Sequence, residues 1–560
     1  MSRSRQSTSC LFLCWTIVCA AIPNLANAQL REENGFCNYP RRRDRLPQRS
    51  LRTAFFKVAE DIEPNDDSKT AQDIPLGFGF KQDIDVDLQG EITLHDADYF
   101  KFSGTRGDIV GLSVIGSNPF FLNSRLAILD SSGAELIEND EHGGVANNYP
   151  PRSPFPAGAN PGDAALTFVI PSDGVYQIRI CPKGFESGRY IMQARIRKPY
   201  LSEQQAGEHQ VIFLDFDGAE INAKDIFGDG GNPKAKLSPL SDFLPGWGVA
   251  ADQESKLIDM IVSDVKDRFA ALLAGESREN YKISILSSRE VQADPFGNKH
   301  VSRVIVGGKI SELGIQTIGL AQYVDPGNFA TDDTAVVLLD QLSAPAENLN
   351  SVNSIRSVDG FDKLQAVSRV IGAVVVHEVC HLLGSWHTDN RNSLRTDIDE
   401  GGHLLNMAGV GPDGIMGNAD DIPSNSSDKT ILGDVYADEG IASAGNRENV
   451  DTRTIFALSV GKLTPTEMQA RVGNELTQAM LAKALMQAKT SNSVKFDPKI
   501  LTTNDYLYQV SDHVKLPTPP RFHSDTELEI FQPAVQQSHL DQIIIDLQSE
   551  LNDFKDSSSK

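Results

Sequence analysis

The spacing of hydrophobic positions along this 560-residue chain changes from stretch to stretch. From Glu60 to about Lys198 apolar and polar residues alternate in short runs, such as "DADYFKFSGTRGDIVGLSV" (96–114), "ALTFVIPSDGVYQIRI" (165–180) and "SGRYIMQARI" (187–196). Gly, Asp, Asn and Pro break these runs, and period two with turns between predicts an all-β sandwich over 58–199. From His209 the pattern lengthens. "VIFLDFDG" (211–218) predicts a strand, 252–273 an amphipathic helix, and 281–288, 301–308, 319–324 and 334–340 four further strands. The run from Leu364 to Leu383 has no Pro and one Gly, and its apolar residues recur at helical intervals. Residues 401–450, rich in Gly, Asp and Asn, read as loops. Thr464, Pro465 and Glu467 then form a capping box, and Pro533 interrupts a second helical stretch, so 461–560 is expected to be helical.

The N-terminus and the composition narrow the setting. Basic "SRSR", the apolar run "CLFLCWTIVCAAI" and "ANA" before Gln29 make residues 1–28 a signal peptide. That run is too short to span a bilayer comfortably. Residues 29–57 are polar and basic without periodicity, a linker or pro-segment. The formal net charge is −24, and removal of Arg3 and Arg5 with the signal makes the chain more acidic still. Such a charge argues against nucleic acid or an anionic membrane as partner. The chain is expected to be exported: extracellular, periplasmic or at the cell surface. Cys37, Cys181 and Cys380 remain after the signal, an odd number that rules out a full disulfide framework.

The chemistry concentrates in "HEVCHLLGSWH", residues 377–387. With 11 His and 44 Gly in 560 residues, three His and one Gly at these offsets arise by chance in about 3 of 10,000 such chains. On a helix His377 and His381 lie one turn apart on the same face and can reach one ion. Glu378 is rotated by about 100° from His377, where it meets a water rather than the metal. Gly384 can take the left-handed conformation that ends a helix, and the reversal brings His387 in as a third ligand. Three imidazoles with an open fourth position predict a catalytic Zn²⁺ site.

This segment resembles the H-E-x-x-H-x-x-G-x-x-H signature of the metzincin zinc endopeptidases. The resemblance implies an α/β catalytic domain over 200–460, with a mixed five-stranded sheet and the histidine helix. It implies hydrolysis of peptide bonds by a zinc-bound water that Glu378 activates. It also implies a methionine turn beneath the metal, for which Met407 is favoured and Met416 is the alternative, the latter in a stretch that reads as an exposed loop. "GLAQYV" resembles that family's antiparallel edge strand, so Gly319, Leu320, Ala321, Gln322 and Tyr323 are expected to hold an extended peptide or protein substrate. Two other functions stay open: an inactive, protease-like adhesion or binding protein, and a zinc hydrolase acting on a non-peptide substrate.

The series from "DIEPNDDSKTAQDI" to "SGRYIMQARI" resembles the bacterial pre-peptidase C-terminal domain, a β-sandwich attached to secreted proteases. In that family the module usually follows the protease, whereas here it precedes it. Its acidic residues Glu63, Asp66, Asp67, Asp96 and Asp98 are candidate Ca²⁺ ligands, with solvated turn carboxylates as the alternative. "GPDGIMGNADD" (411–421) has carboxylates at turn spacing but does not fit the twelve-residue Ca²⁺ loop. Cys37, just ahead of Arg41–Arg43, has three readings: a disulfide to Cys181, which is preferred, a zinc-blocking thiolate of the kind that holds some metzincins inactive, and a free surface thiol.

Overall fold

The computed structural model describes residues 57–460 with interruptions, chiefly at 75–83, 141–148, 155–163, 388–396, 399–408, 422–440 and 443–449. The signal segment, nearly all of the linker and the region 461–560 lie outside the described residues. What is described is mainly β-sheet, in several sheets, with a few helices. Among these residues no helix is long and apolar enough to cross a membrane.

The first ten strands are β1 Lys57–Glu60, β2 Gln72–Asp73, β3 Ile84–Ile92, β4 Asp98–Gly104, β5 Ile109–Gly116, β6 Ser124–Leu129, β7 Glu135–Asn139, β8 Ala165–Val169, β9 Gly174–Pro182 and β10 Gly188–Arg197. They form two sheets, one ordered β1-β3-β10-β5-β8 and the other β2-β4-β9-β6-β7. The period-two pattern is the cause. In β4, Asp98, Phe100 and Phe102 point inward while Tyr99, Lys101 and Ser103 are half-buried. Phe100, Leu112, Ile128, Phe168, Ile178 and Met192 belong to the core that both sheets cover. Each such side chain contributes about 1.5–3 kcal/mol by leaving water.

The second unit holds β11 Gln210–Asp215, the hairpin β12 Ala219–Ile221 and β13 Ala235–Leu237, β14 Ile283–Ser287, β15 Val301–Val306, β16 Gly319–Ala321 and β17 Thr334–Val337. Its main sheet is ordered β14-β11-β15-β17-β16. The first four strands run parallel and β16 runs antiparallel beside β17. Parallel strands are covered on both faces, and all of β17 is buried. Helix α1 (Glu254–Ala274) packs on helix α2 (Lys363–Leu382), which lies on β15, β16 and β17. From Ala366 to Leu382 every residue of α2 is buried, as a helix apolar on nearly all sides requires.

Two expectations need correction. The run 319–324 is a strand only as far as Ala321, with Gln322 and Tyr323 half-buried beyond it. The 401–450 tract is not all loop. Ile415–Met416 (β19) pairs with Arg356–Ser357 (β18), and Ile441–Ala442 (β20) pairs antiparallel with β7, adding a sixth strand to the second sandwich sheet. Two-residue strands are too short to show a period, so only pairing reveals them. The sandwich also packs against the second unit. Helix α3 (Val450–Ala457) packs against both β8 and α1, and Ile109, Val169, Phe329 and Phe456 form one apolar cluster across the junction.

Candidate metal centre

Asp362 caps α2 by accepting the Leu364 amide at 2.9 Å, and the helix runs unbroken to Leu382. Gly384 stops it with φ at 98°, and its amide donates back to the His381 carbonyl at 2.9 Å. A Cβ at Gly384 would collide with the backbone of Pro326, so both the turn and the close approach require glycine. The reversal folds His387 onto the face carrying His377 and His381. The ring centroids lie 4.8 Å (377 to 381), 5.2 Å (377 to 387) and 4.7 Å (381 to 387) apart. One ring nitrogen from each lies within 4.8 Å of the others, and all three residues are buried.

The outward nitrogens of His377 and His381 are committed to backbone carbonyls. His377 Nδ1 meets the Asp397 carbonyl at 2.9 Å, and His381 Nδ1 meets the Ser385 carbonyl at 2.7 Å. That leaves Nε2 of each ring pointing inward, and the buried Nε2 of His377 has no hydrogen-bond partner. Burial, then the neighbouring His387, pushes the His377 imidazole down to about 3. Burial, then His387 and His377, holds His381 well below its usual range. Rings kept neutral are in the form that ligates metal. Asp397 is itself fixed by Arg268, which is fully buried and donates through Nε to Asp264 at 2.8 Å. Three buried imidazoles, two of them with the outer nitrogen held by a backbone carbonyl, are a donor set that fits Zn²⁺.

Glu378 is buried beside the three histidines, and its carboxylate lies against the backbone of Gly319 in β16, where a Cβ would have no room. Leu320 and Ala321 are buried in the same strand. Gln322 continues the pairing, its amide donating to the Thr334 carbonyl at 2.9 Å and its side-chain oxygen accepting from the Thr334 amide at 3.0 Å.

Met407 lies outside the described residues. Met416 does not sit in an exposed loop. It is fully buried, and its carbonyl accepts from the Val358 amide just ahead of α2. The histidines lie at the other end of that helix and just beyond it. Cys181 is half-buried and in no disulfide among the described residues, its thiol raised first by burial, and Cys37, its preferred partner, lies outside them. Cys380 is buried within α2 and is in no disulfide among the described residues.

A second cluster occupies one end of the sandwich. Asp61, Glu63 and Asp98 bring one oxygen each within 4.8 Å of one another, as do Glu63, Asp66 and Asp96. Asp98 is fully buried, with Oδ2 accepting from the Tyr190 hydroxyl and Oδ1 without a hydrogen-bond partner. Burial above all, with the charges of Asp61, Asp96 and Glu63, pushes its carboxyl up to about 8. Asn65 donates to Asp61 Oδ1 at 2.7 Å, and its own buried Oδ1 has no partner. Asp67 instead caps its own turn, accepting from the amides of Lys69 and Thr70. Sequence reading missed Asp61 and Asn65, although both lie in the same short acidic run. In 411–421 the carboxylates are taken up locally: Asp421 accepts from the Gly411 and Gly417 amides, and Asp413 from Ile415.

Arg268, Asp264, Asp397 and Ser385 were also missed as site residues. Asp264 and Arg268 had one available signal, opposite charges four residues apart within a predicted amphipathic helix.

No family model and no curated protein matches the chain. Among solved structures it is similar to PliG of Aeromonas hydrophila, a periplasmic inhibitor of g-type lysozyme, at 13% identity, covering 25% of this chain and 99% of that one with a TM-score of 0.16. It is similar to the pre-peptidase C-terminal domain of a collagenase from Bacillus anthracis, at 12% identity, covering 22% of this chain and 93% of that one with a TM-score of 0.16. PliG of Salmonella Typhimurium follows at 14% identity, 23% and 99% coverage and a TM-score of 0.15. Likenesses of this size assign no family to the chain.

Proposed function

We propose that the chain is an exported zinc-dependent endopeptidase, with a metzincin-like catalytic unit within 200–460 behind a pre-peptidase C-terminal-like sandwich over 58–199. The observation that carries this reading is the convergence of His377, His381 and His387 at the end of one buried helix, with Glu378 beside them. Zn²⁺ held by the three imidazoles would supply a Lewis acid that polarises a peptide carbonyl and acidifies water. Glu378 takes the proton of the attacking water on its carboxylate and passes it to the departing amine. β16, the last strand of its sheet, offers its main chain to an extended peptide and brings that peptide past Glu378. Ca²⁺ is proposed at the Asp61–Glu63–Asp98 cluster, where the buried oxygens of Asp98 and Asn65 lack hydrogen-bond partners.

The test measures bound zinc and cleavage of a denatured protein by wild-type, chelated and Glu378→Gln protein. Stoichiometric zinc is expected, with cleavage lost on chelation and regained on adding Zn²⁺. Glu378→Gln is expected to keep its zinc and lose turnover by about 10²–10⁴-fold, because an amide cannot accept the proton. Zinc without peptide cleavage would favour a hydrolase of non-peptide substrates, and absence of zinc an inactive binding protein.

A further inference from the structure

Of the three histidines, His387 alone is off the helix, so the turn 384–386 sets its position. Each residue of that turn is held from outside α2. Arg453 of α3 donates through Nη1 to the Gly384 carbonyl at 3.1 Å. The Ser385 hydroxyl, whose residue also supplies the carbonyl meeting His381, pairs with the Thr454 hydroxyl at 2.7 Å. Trp386 meets the ring of Tyr149 edge-on, with centroids 5.8 Å apart. These contacts lead to one place in the sandwich, Thr167 of β8. Arg453 donates through Nη1 to its hydroxyl at 3.0 Å and through Nη2 to its carbonyl at 2.6 Å, and the Tyr149 hydroxyl pairs with its Oγ1 at 2.8 Å.

Arg453 is fully buried. A buried guanidinium is costly to desolvate, and a fork of donors fixed on two backbone carbonyls locks both strands of chain it touches. Helix hydrogen bonds do this for His377 and His381, but they end before His387.

We propose that Arg453 is a positioning residue of the metal centre and that, through it, strand β8 of the sandwich is part of the scaffold holding His381 and His387. The sandwich is then required for metal binding and is not a separable appendage. This rests on the metal reading above.

The experiment uses the full chain and two substitutions, Arg453→Met and Thr167→Val, with His387→Ala as the reference for a lost ligand. Zn²⁺ affinity is measured by chelator competition, the visible absorption of the Co²⁺-loaded protein reports ligand geometry, and circular-dichroism melting checks the fold. Arg453→Met is expected to weaken Zn²⁺ binding about tenfold and shift the Co²⁺ bands, the low end of what an outer partner of a ligand costs. Thr167→Val removes the hydroxyl's bonds to Arg453 and Tyr149 and is expected to act in the same direction by about threefold, because Arg453 keeps the Thr167 carbonyl. Folded variants with wild-type affinity and an unshifted Co²⁺ spectrum would overturn the proposal. If Arg453→Met does not fold, Thr167→Val decides alone by the same two readouts. Wild-type protein that takes up neither metal overturns the metal reading and this one together. Wild-type binding with unchanged variants overturns this one only.

Discussion

Replacing Gly319 by Ala tests the pairing of base and edge strand at a single atom. A Cβ on Gly319 would lie 2.7 Å from Glu378 Cδ and 3.1 Å from its Cγ, and nearer still to Oε1. Ordinary carbon–carbon contact is about 3.5 Å, so the carboxyl carbon or the strand must withdraw by about 0.8 Å. A misplacement of about 1 Å in a catalytic array can cost on the order of 10²-fold in rate. Gly319→Ala is therefore expected to lower kcat by about 100-fold on a peptide substrate. Zinc content should stay stoichiometric, because the close contacts of this Cβ are with Glu378 and not with the ligands. Glu378→Asp shortens the side chain by one methylene and makes room, so the two substitutions should be non-additive in a double-mutant cycle. The assay pairs steady-state kinetics with metal analysis on the same samples. Near wild-type turnover with full zinc would refute the idea that Glu378 works from its position against β16. Loss of zinc together with activity would move the effect to the metal site.

Other substitutions probe separate parts of the site. His387→Ala should lower zinc affinity by more than the roughly 10–100-fold expected of an outer partner while leaving the fold intact, and unchanged zinc content would put the third ligand elsewhere. Arg268→Met removes the cation between buried Asp264 and Asp397 and should cost about 3–5 kcal/mol in chemical denaturation, with weaker zinc binding as His377 loses its fixed carbonyl. A wild-type denaturation midpoint would refute it. Asp98 gives a pH test. Its folded-state value of about 8 exceeds the ordinary aspartate value of 3.8, so the folded protein holds a proton the unfolded chain releases, and stability falls as pH rises across that interval. In chelator, Asp98→Asn should raise the melting temperature at pH 8 and change it little near pH 4. An equal effect at both pH values would sink that assignment.

Local geometry made part of this protein legible. The four-residue spacing of His377 and His381 fixes a shared face on any helix, and the apolar run before them supplies that helix. Gly384 sits where only a residue tolerant of positive φ can turn the chain. Alternation in segments such as β4 is equally local. Composition misled for Met416. Its Gly- and Asp-rich surroundings suggested exposure, yet Met416 is fully buried in the apolar core, at the end of a short strand whose partners, Arg356 and Ser357, are far from it in sequence.

What the sequence by itself determined is thus the content of single elements: three imidazoles and a carboxylate on and just beyond one helix, and strands whose inward faces are apolar. Tertiary structure alone decided what those elements face. The carbonyl of Asp397 behind His377, the Arg268 beneath it, the Gly319 backbone against Glu378 and the Thr167 that Arg453 grips from 286 residues away are all contacts between distant segments. Periodicity specifies which side of a helix or strand is buried but carries no record of its partner, because partners are chosen by how separate elements pack and which buried polar groups they can satisfy together.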